Sequence, residues 1–306
     1  MEANPLELRQ IQYFMEVAKR EHVTEAAMAL HVAQSAVSRQ VFNLEKELGV
    51  SLFIREGRNV KLTMIGQMFL EHMEQAMMVI EEAQREIEEY LDPMKGTIRI
   101  GFPSSLASYT LPTTISAFRE HYPQVKFQLK QGSYNELIEG VINGDFDMAL
   151  IGPVPKQEMK VLGTTLFTDN IVALLPTTHP LANQSSIKLG QLRDDSFVLW
   201  PKGFILRDII VDACGQLGFQ PKVSFEGEDI DSIKGLVSAG LGITLIPEIT
   251  LVDGFPRSTV KIPIIEPAVT RTVGVIISRE RKMLPTVRLF YDFLKDFYFR
   301  LDRYQM

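Results

Sequence analysis

Four side chains at helical spacing carry the plainest chemistry in this sequence: Gln34, Ser35, Ser38 and Arg39. With Asn43 they form a polar face, opposite an apolar face of Val37, Val41, Leu44 and Leu48. Gln, Ser, Asn and Arg donate and accept at base edges, and a helix carrying them on one side fits the major groove of duplex DNA. Any amphipathic surface helix also has a polar face, so the pattern has to be judged with its neighbours. Thr24 stands where an N-cap residue belongs, ahead of EAAMAL. Ala26 and Ala27 are small where two helices must cross closely. Gly49 follows Leu48, where a left-handed residue ends a helix.

The flanking elements complete a small domain. Residues 6–20 (LELRQIQYFMEVAKR) place Leu8, Ile11, Phe14/Met15 and Ala18 on one helical face. Residues 51–63 (SLFIREGRNVKLT) alternate and bend at Gly57 and Asn59, which predicts a β-hairpin bearing Arg55, Arg58 and Lys61. Three helices and a basic hairpin make a winged helix-turn-helix, over residues 1–63. Arginines on such a wing suit phosphates or a narrow minor groove, although solvated charges on a hairpin would look the same.

Residues 64–92 read as one long helix. Phe69, Met73, Ala76, Ile80, Ala83, Ile87 and Tyr90 recur at spacings of four and three, an apolar heptad seam. That seam predicts pairing with a second helix, and a dimer is the expected outcome. Two DNA-reading heads would then lie roughly 34 Å apart, one helical turn of the duplex, or a multiple of it. Asp92-Pro93 closes the segment.

From Thr97 onward short β-rich runs alternate with amphipathic helices: TIRIGF, VKFQLKQG, FDMALIG, NIVALLP, FVLWP, PKVSFEG, GITLIPE and TRTVGVIIS, then a closing helix from about 285. This alternation predicts an α/β architecture with largely parallel sheets over residues 93–306. Its strand-to-helix turns hold the second set of chemically apt residues. Gly101-Phe-Pro-Ser-Ser105 offers two hydroxyls, Ser104 and Ser105, at an expected helix start, where backbone N–H groups and the helix dipole attract a carboxylate. Simple N-capping would use the same residues. Gly132-Ser133 repeats the arrangement, and WPKGFILRD adds Lys202 and Arg207. An arginine binds a carboxylate through two parallel bonds, but Arg207 could equally pair with Asp208 or Glu226. Hydroxyls and cations converging in this way suit a small anionic metabolite such as a dicarboxylate or 2-oxo acid.

Composition bounds the alternatives. The chain has 306 residues, 45% of them hydrophobic and 23% charged, which suits two or three soluble domains. No run of 18 apolar residues is present, and no basic segment followed by an apolar stretch opens the chain, so neither a membrane span nor a signal peptide is expected. One cysteine, Cys214, fits a reducing cytoplasm. The net charge of −6 is not spread evenly. Residues 1–62 hold eight bases and eight acids, 63–92 one base and eight acids, and 93–306 hold 23 bases and 22 acids. The acidity therefore lies in the long helix, away from the groove-facing one. An enzyme is disfavoured: G-x-G-x-x-G, P-loop and G-x-S-x-G motifs are missing, and the five histidines lie far apart. No cofactor and no metal are expected. A transport binding protein would lack the first 92 residues. A DNA-binding protein without an effector remains the alternative reading.

The run LRQIQYFMEVAKREHVTEAAMALHVAQSAVSRQVFNLEKELGVSLFIREGRNVKLTMIG resembles the N-terminal domain of LysR-type transcriptional regulators. Ala26-Ala27, Gln34, Ser38, Leu44-Glu45, Leu48-Gly49, Leu52-Phe53, Arg55, Leu62-Thr63 and Gly66 match its spacing without a gap. The SAGLGITLIPE run at 238–248 fits the later part of the family pattern, so the likeness covers essentially the whole chain. EHVTEAA, HVAQSA, REGRN, EEYLDP, IGFPSSLAS, KQGSY and EGEDIDSIKGLVSAG resemble, more narrowly, members that regulate glutamate synthase genes. The resemblance implies base or phosphate contacts from Gln34, Ser35, Ser38 and Arg39, a phosphate contact from Thr24, and wing contacts from Arg55 and Arg58. It also implies two lobes like those of periplasmic binding proteins, one of about 95–163 plus 272–306 and the other of about 164–271, joined by strands near 163–168 and 267–272. Ligand in the cleft, 2-oxoglutarate or glutamate by the narrower likeness, would shift subunit packing and DNA bending, with RNA polymerase as the last partner affected. A tetramer is implied by the resemblance alone. Ala33 and Ser35 depart from the family pattern, where Ser or Thr and then Pro are usual.

Overall fold

The computed structural model describes residues 6–57, 59–92, 94–252 and 254–304. The chain forms two compact units, Met1–Glu86 and Ile87–Met306. In the first, α1 (Leu8–Arg20), α2 (Val23–Ala29) and α3 (Gln34–Leu48) precede a hairpin of β1 (Phe53–Glu56) and β2 (Asn59–Leu62), followed by α4 (Met64–Leu91), whose last five residues count with the second unit. Phe14, Val17, Ala26, Val37 and Leu44 are fully buried between the three short helices. Gly49 closes α3 in the left-handed region at φ +71°, as its position after Leu48 requires.

Two details differ from the sequence-based expectation. The N-cap of α2 is His22, whose Nδ1 accepts from the Glu25 N–H, so Thr24 lies inside the first turn, exposed. Asn59 pairs with Glu56 as the first residue of β2, leaving Gly57 at φ +66° in the turn. Arg58 lies outside the described residues. The hairpin is anchored by Glu45 of α3, whose Oε1 accepts from the backbone N–H of Leu52 at 2.7 Å and of Phe53 at 3.1 Å. Thr63 donates to the Ser51 carbonyl and accepts from the Gly66 N–H. Gly66 has no room for a side chain, because a Cβ would lie 2.1 Å from the Leu52 carbonyl oxygen.

The second unit contains β3 (Thr97–Phe102), α5 (Thr110–His121), β4 (Lys126–Gln131), α6 (Tyr134–Asn143), β5 (Met148–Ile151) and β6 (Val161–Pro176). It continues through β7 (Ile187–Lys188), β8 (Ser196–Leu199), α7 (Ile205–Gln216), β9 (Lys222–Glu226), α8 (Ile230–Ser238) and β10 (Thr244–Pro247). It closes with β11 (Thr259–Ile262), β12 (Ile264–Glu266), β13 (Thr270–Ser278) and α9 (Pro285–Tyr304). β3 pairs in parallel with β4 and β5, and β8 with β9, as βαβ crossovers demand. The sheets are not largely parallel throughout. β6 and β13 run antiparallel to each other over nine registered pairs, and β5, β10 and β11 meet them antiparallel. Each of these two strands carries the chain across between lobes, one out and one back, which makes them antiparallel.

The lobes have separate cores. One gathers Ile98, Ile100, Phe118, Met148, Val273, Val275 and Phe290, with a smaller cluster around Leu137, Val141 and Ile276. The other gathers Val172, Leu174, Phe197, Leu199, Cys214, Ile233 and Leu245. β6 serves both: Val161 packs in the first lobe and residues Ile171 to Leu175 in the second.

Candidate functional site

On α3 the structure keeps Gln34, Ser35 and Arg39 exposed and Ser38 half-buried, while Val37 and Leu44 point inward. The Gln34 amide donates to the Ser38 hydroxyl at 3.3 Å, so two of the groups expected at base edges orient each other before any duplex arrives. Ala33 is the N-cap residue and contributes no side-chain bond, leaving the first backbone N–H groups of α3 without a side-chain acceptor from the cap. Arg55 lies exposed on the hairpin opposite Val60.

In the second unit a cleft of about 570 Å³ opens between the lobes. The segments that line it follow the carboxyl ends of β3, β4, β5, β8 and β9, where open α/β sheets place their ligands. Ser104, Ser105 and Ser133 line it from one lobe and Lys202 from the other. The helix expected to start at Ser105 does not. Residues Ser104–Leu106 form one 3₁₀ turn and α5 begins only at Thr110, so the long-helix dipole anticipated there is replaced by something else.

That replacement is Arg271, on β13 at the crossing point, a residue that the local sequence marks only weakly. Its Nη1 donates to the Ser105 hydroxyl at 3.0 Å, and its Nε and Nη2 both donate to Asp169 Oδ2, at 3.1 and 2.9 Å. Arg271 is 3% exposed and Asp169 5% exposed, and Asp169 also accepts from the Ile249 N–H. Burial pushes the Asp169 carboxyl up, against the pull of Arg271, and the same burial pushes the guanidinium down. A weak signal existed in the sequence: one charge set in each of two β-branched, apolar runs, LFTDNIVALL and TRTVGVII.

Arg207 lies outside the cleft lining. Its Nη1 donates to the Trp200 carbonyl and to Glu226, binding the end of β8 to the end of β9 and fixing Trp200, which does face the cleft. Two helix N-termini at the cleft are filled by their own carboxylates. Glu136 accepts from the Ser133 N–H at 2.8 Å in a capping box, which holds its pKa below the usual range. Asp229 accepts from Ser232 through both hydroxyl and N–H and from the Asp231 N–H, with the same effect. Arg271, Lys202 and the serines are the cationic and hydroxyl groups of the lining, which also holds the carboxylates of Glu136, Glu228 and Asp229. Cys214 is buried in the second lobe's core, and burial pushes its thiol up to about 11. Among the described residues no group of His, Cys, Asp and Glu could hold a metal ion, and no helix is long and apolar enough to cross a membrane.

A family model described as "Bacterial regulatory helix-turn-helix protein, lysR family" matches residues 8–67, and the LysR substrate binding domain matches residues 92–298. This chain belongs to the LysR family of transcriptional regulators. It is similar to the transcriptional dual regulator GltC of Bacillus subtilis (strain 168), 58% identical over 98% of this chain and 100% of the relative. Full-length CbnR, solved in complex with its target DNA, shares the fold with a TM-score of 0.79 and 22% identity over 95% of this chain and 99% of that one. The effector-binding domain of QuiR, solved in complex with shikimate, superposes with a TM-score of 0.62 and 24% identity over 67% of this chain and 98% of that one. This LysR-family member is thus a DNA-binding transcriptional regulator with an effector-binding domain, and not an enzyme. Regulators of this family bind promoter DNA and small-molecule effectors and form oligomers.

Proposed function

We propose that this LysR-family regulator senses a small anionic metabolite in the interlobe cleft and that its target genes serve glutamate metabolism. The observation that carries the reading is Arg271, buried on the cleft floor between the lobes with Ser105 as its hydroxyl partner. A guanidinium with two edges already occupied still presents N–H groups to a carboxylate, and its low-dielectric setting strengthens that contact. Ser133 lines the cleft from one lobe and Lys202 from the other, so a ligand with an acid group at each end would bridge the lobes. The likeness to GltC favours 2-oxoglutarate and glutamate as first candidates, and QuiR's shikimate is itself a carboxylate.

On the DNA side, Gln34, Ser35, Ser38 and Arg39 read or flank base edges, Thr24 meets phosphate, and Arg55 and Arg58 serve the wing. Residues 1–63, 64–92 and 93–306 act as reading head, dimerisation helix and sensor. A tetramer forms from two such dimers. Ligand that prefers the closed lobes shifts the population toward them, and only that difference in affinity can change the grip on DNA and the access of RNA polymerase.

Calorimetric titration with 2-oxoglutarate and glutamate tests the sensor, and a nuclease footprint over the gene's own upstream region, with and without each acid, tests the coupling. Binding at or below millimolar concentration with a changed footprint is the expected result. Silence of both acids in calorimetry and footprint would remove them as effectors.

A further inference from the structure

The outward face of α3 carries one side chain unlike its neighbours. Ser35, Ser38, Arg39 and Lys46 share that face at helical spacing, and Phe42 stands among them, three residues past Arg39 and four before Lys46. Phe42 is 64% exposed, although two apolar clusters lie directly behind the same helix and take in Val37, Val41, Leu44 and Leu48. A lone exposed apolar residue is ordinary on most of a protein surface. On a face that lies against base edges it has a narrower meaning. The major groove presents hydrogen-bond donors and acceptors at every base pair, and its one apolar feature is the thymine C5-methyl group.

We propose that Phe42 packs against a thymine methyl and makes this regulator prefer T at a position beyond those reached by Gln34, Ser35, Ser38 and Arg39. This rests on the reading that the outward face of α3 enters the groove. The ring adds no charge, so it contributes selectivity for T without the salt-dependent attraction that Arg39 and Lys46 supply. Leaving the ring in water when DNA is absent and covering it when DNA binds recovers apolar burial that the free protein forgoes.

Selection of duplexes from a random pool by the full-length protein tests the idea on a site that the protein itself chooses. Wild type, Phe42→Ala and Arg39→Ala are selected in parallel, and the wild-type site is then remade with deoxyuridine replacing each thymidine in turn. Uracil keeps the pairing and the O4 acceptor and lacks only the methyl. Removing one contacted methyl should cost wild type about fourfold in affinity, the equivalent of about 0.8 kcal/mol. Phe42→Ala should lose the preference for T at that position and bind the T and U versions alike, with its thermal unfolding unchanged because the ring is exposed. Arg39→Ala should weaken binding to every selected duplex or change the selected motif. If Phe42→Ala selects the same thymines and keeps the same uracil penalty while Arg39→Ala is impaired, Phe42 reads nothing and the groove-facing assignment stands. If Arg39→Ala selects and binds as wild type does, the face itself is misassigned and the role of Phe42 falls with it.

Discussion

Arg271 and Asp169 are direct cross-strand partners, opposite each other in the antiparallel pair that carries the chain between the two lobes. The guanidinium gives two bonds to one carboxylate oxygen, and a third bond leads to Ser105 at the cleft. The buried ion pair of the two crossing strands thereby also reaches the floor of the interlobe cleft. Removing one partner of such a pair strands the other charge, whereas replacing both by apolar groups of similar size does not.

Arg271→Met should therefore destabilise the protein by about 3–5 kcal/mol in denaturant unfolding, and Arg271→Met with Asp169→Leu should recover most of that loss. Neither variant should bind the acid that wild type binds, by calorimetry. A double variant that regains both stability and ligand would show that Arg271 holds the crossing strands together and nothing else.

Acid stability offers a second check. The folded pKa values of Glu136 and Asp229 lie below their ordinary values of 4.5 and 3.8, because both carboxylates accept hydrogen bonds at helix starts. A depressed carboxylate contributes stability that is present above the unfolded pKa and disappears as pH falls through the folded one. Glu136→Gln with Asp229→Asn should melt below wild type at neutral pH, and the two melting curves should converge as pH drops below 4.5. A gap that persists unchanged into acid would assign the loss to packing.

Cys214 should resist alkylation in the native protein near neutral pH and react once the chain is unfolded, since its thiol is buried and pushed up to about 11. Mass spectrometry of iodoacetamide-treated protein reads this directly. Rapid native labelling would mean that the second lobe opens.

Gly66→Ala should destabilise the first unit by about 1–3 kcal/mol, because the new methyl would meet the Leu52 carbonyl, which accepts from Thr63 just ahead of α4. Affinity should fall alike for all duplexes, with the selected sequence unchanged.

The seam of α4 gives the last test. Its first position, Phe69, is used within the first unit against Phe14, at 5.3 Å between ring centroids, so the free seam begins later than the heptads alone suggest. Ala76 and Ala83 are exposed, as are Ile87 and Tyr90. Ala76→Glu with Ala83→Glu would set like charges across a two-fold helix pair and should weaken the dimer by at least about tenfold in sedimentation equilibrium. An unchanged dimer would place the interface elsewhere.

Local pattern made most of the chain's elements legible. Helical periodicity placed α1, α3, α4 and α9 within a few residues of where they lie, and β-branched runs placed β3, β4, β5, β8, β9, β10 and β13. The residues expected to face the groove could be grouped because they are neighbours on one helix, where spacing alone sets which side chains share a face. The chemical groups that line the cleft were read only in part. Ser104, Ser105, Ser133 and Lys202 stand out because turns after strands are recognisable in a sequence. Arg207 looked equally apt, and the fold spends it on Trp200 and Glu226.

Asp169 and Arg271 are 102 residues apart, and no periodicity relates them. Their meeting depends on the register of two strands that lie far apart in the sequence. What this sequence determined by itself is therefore the set of local elements and the polar face of one helix, because short-range sterics and apolar spacing act between near neighbours. What the tertiary structure alone decided is which buried charge reaches the cleft, because long-range strand pairing brings distant residues into the same low-dielectric space.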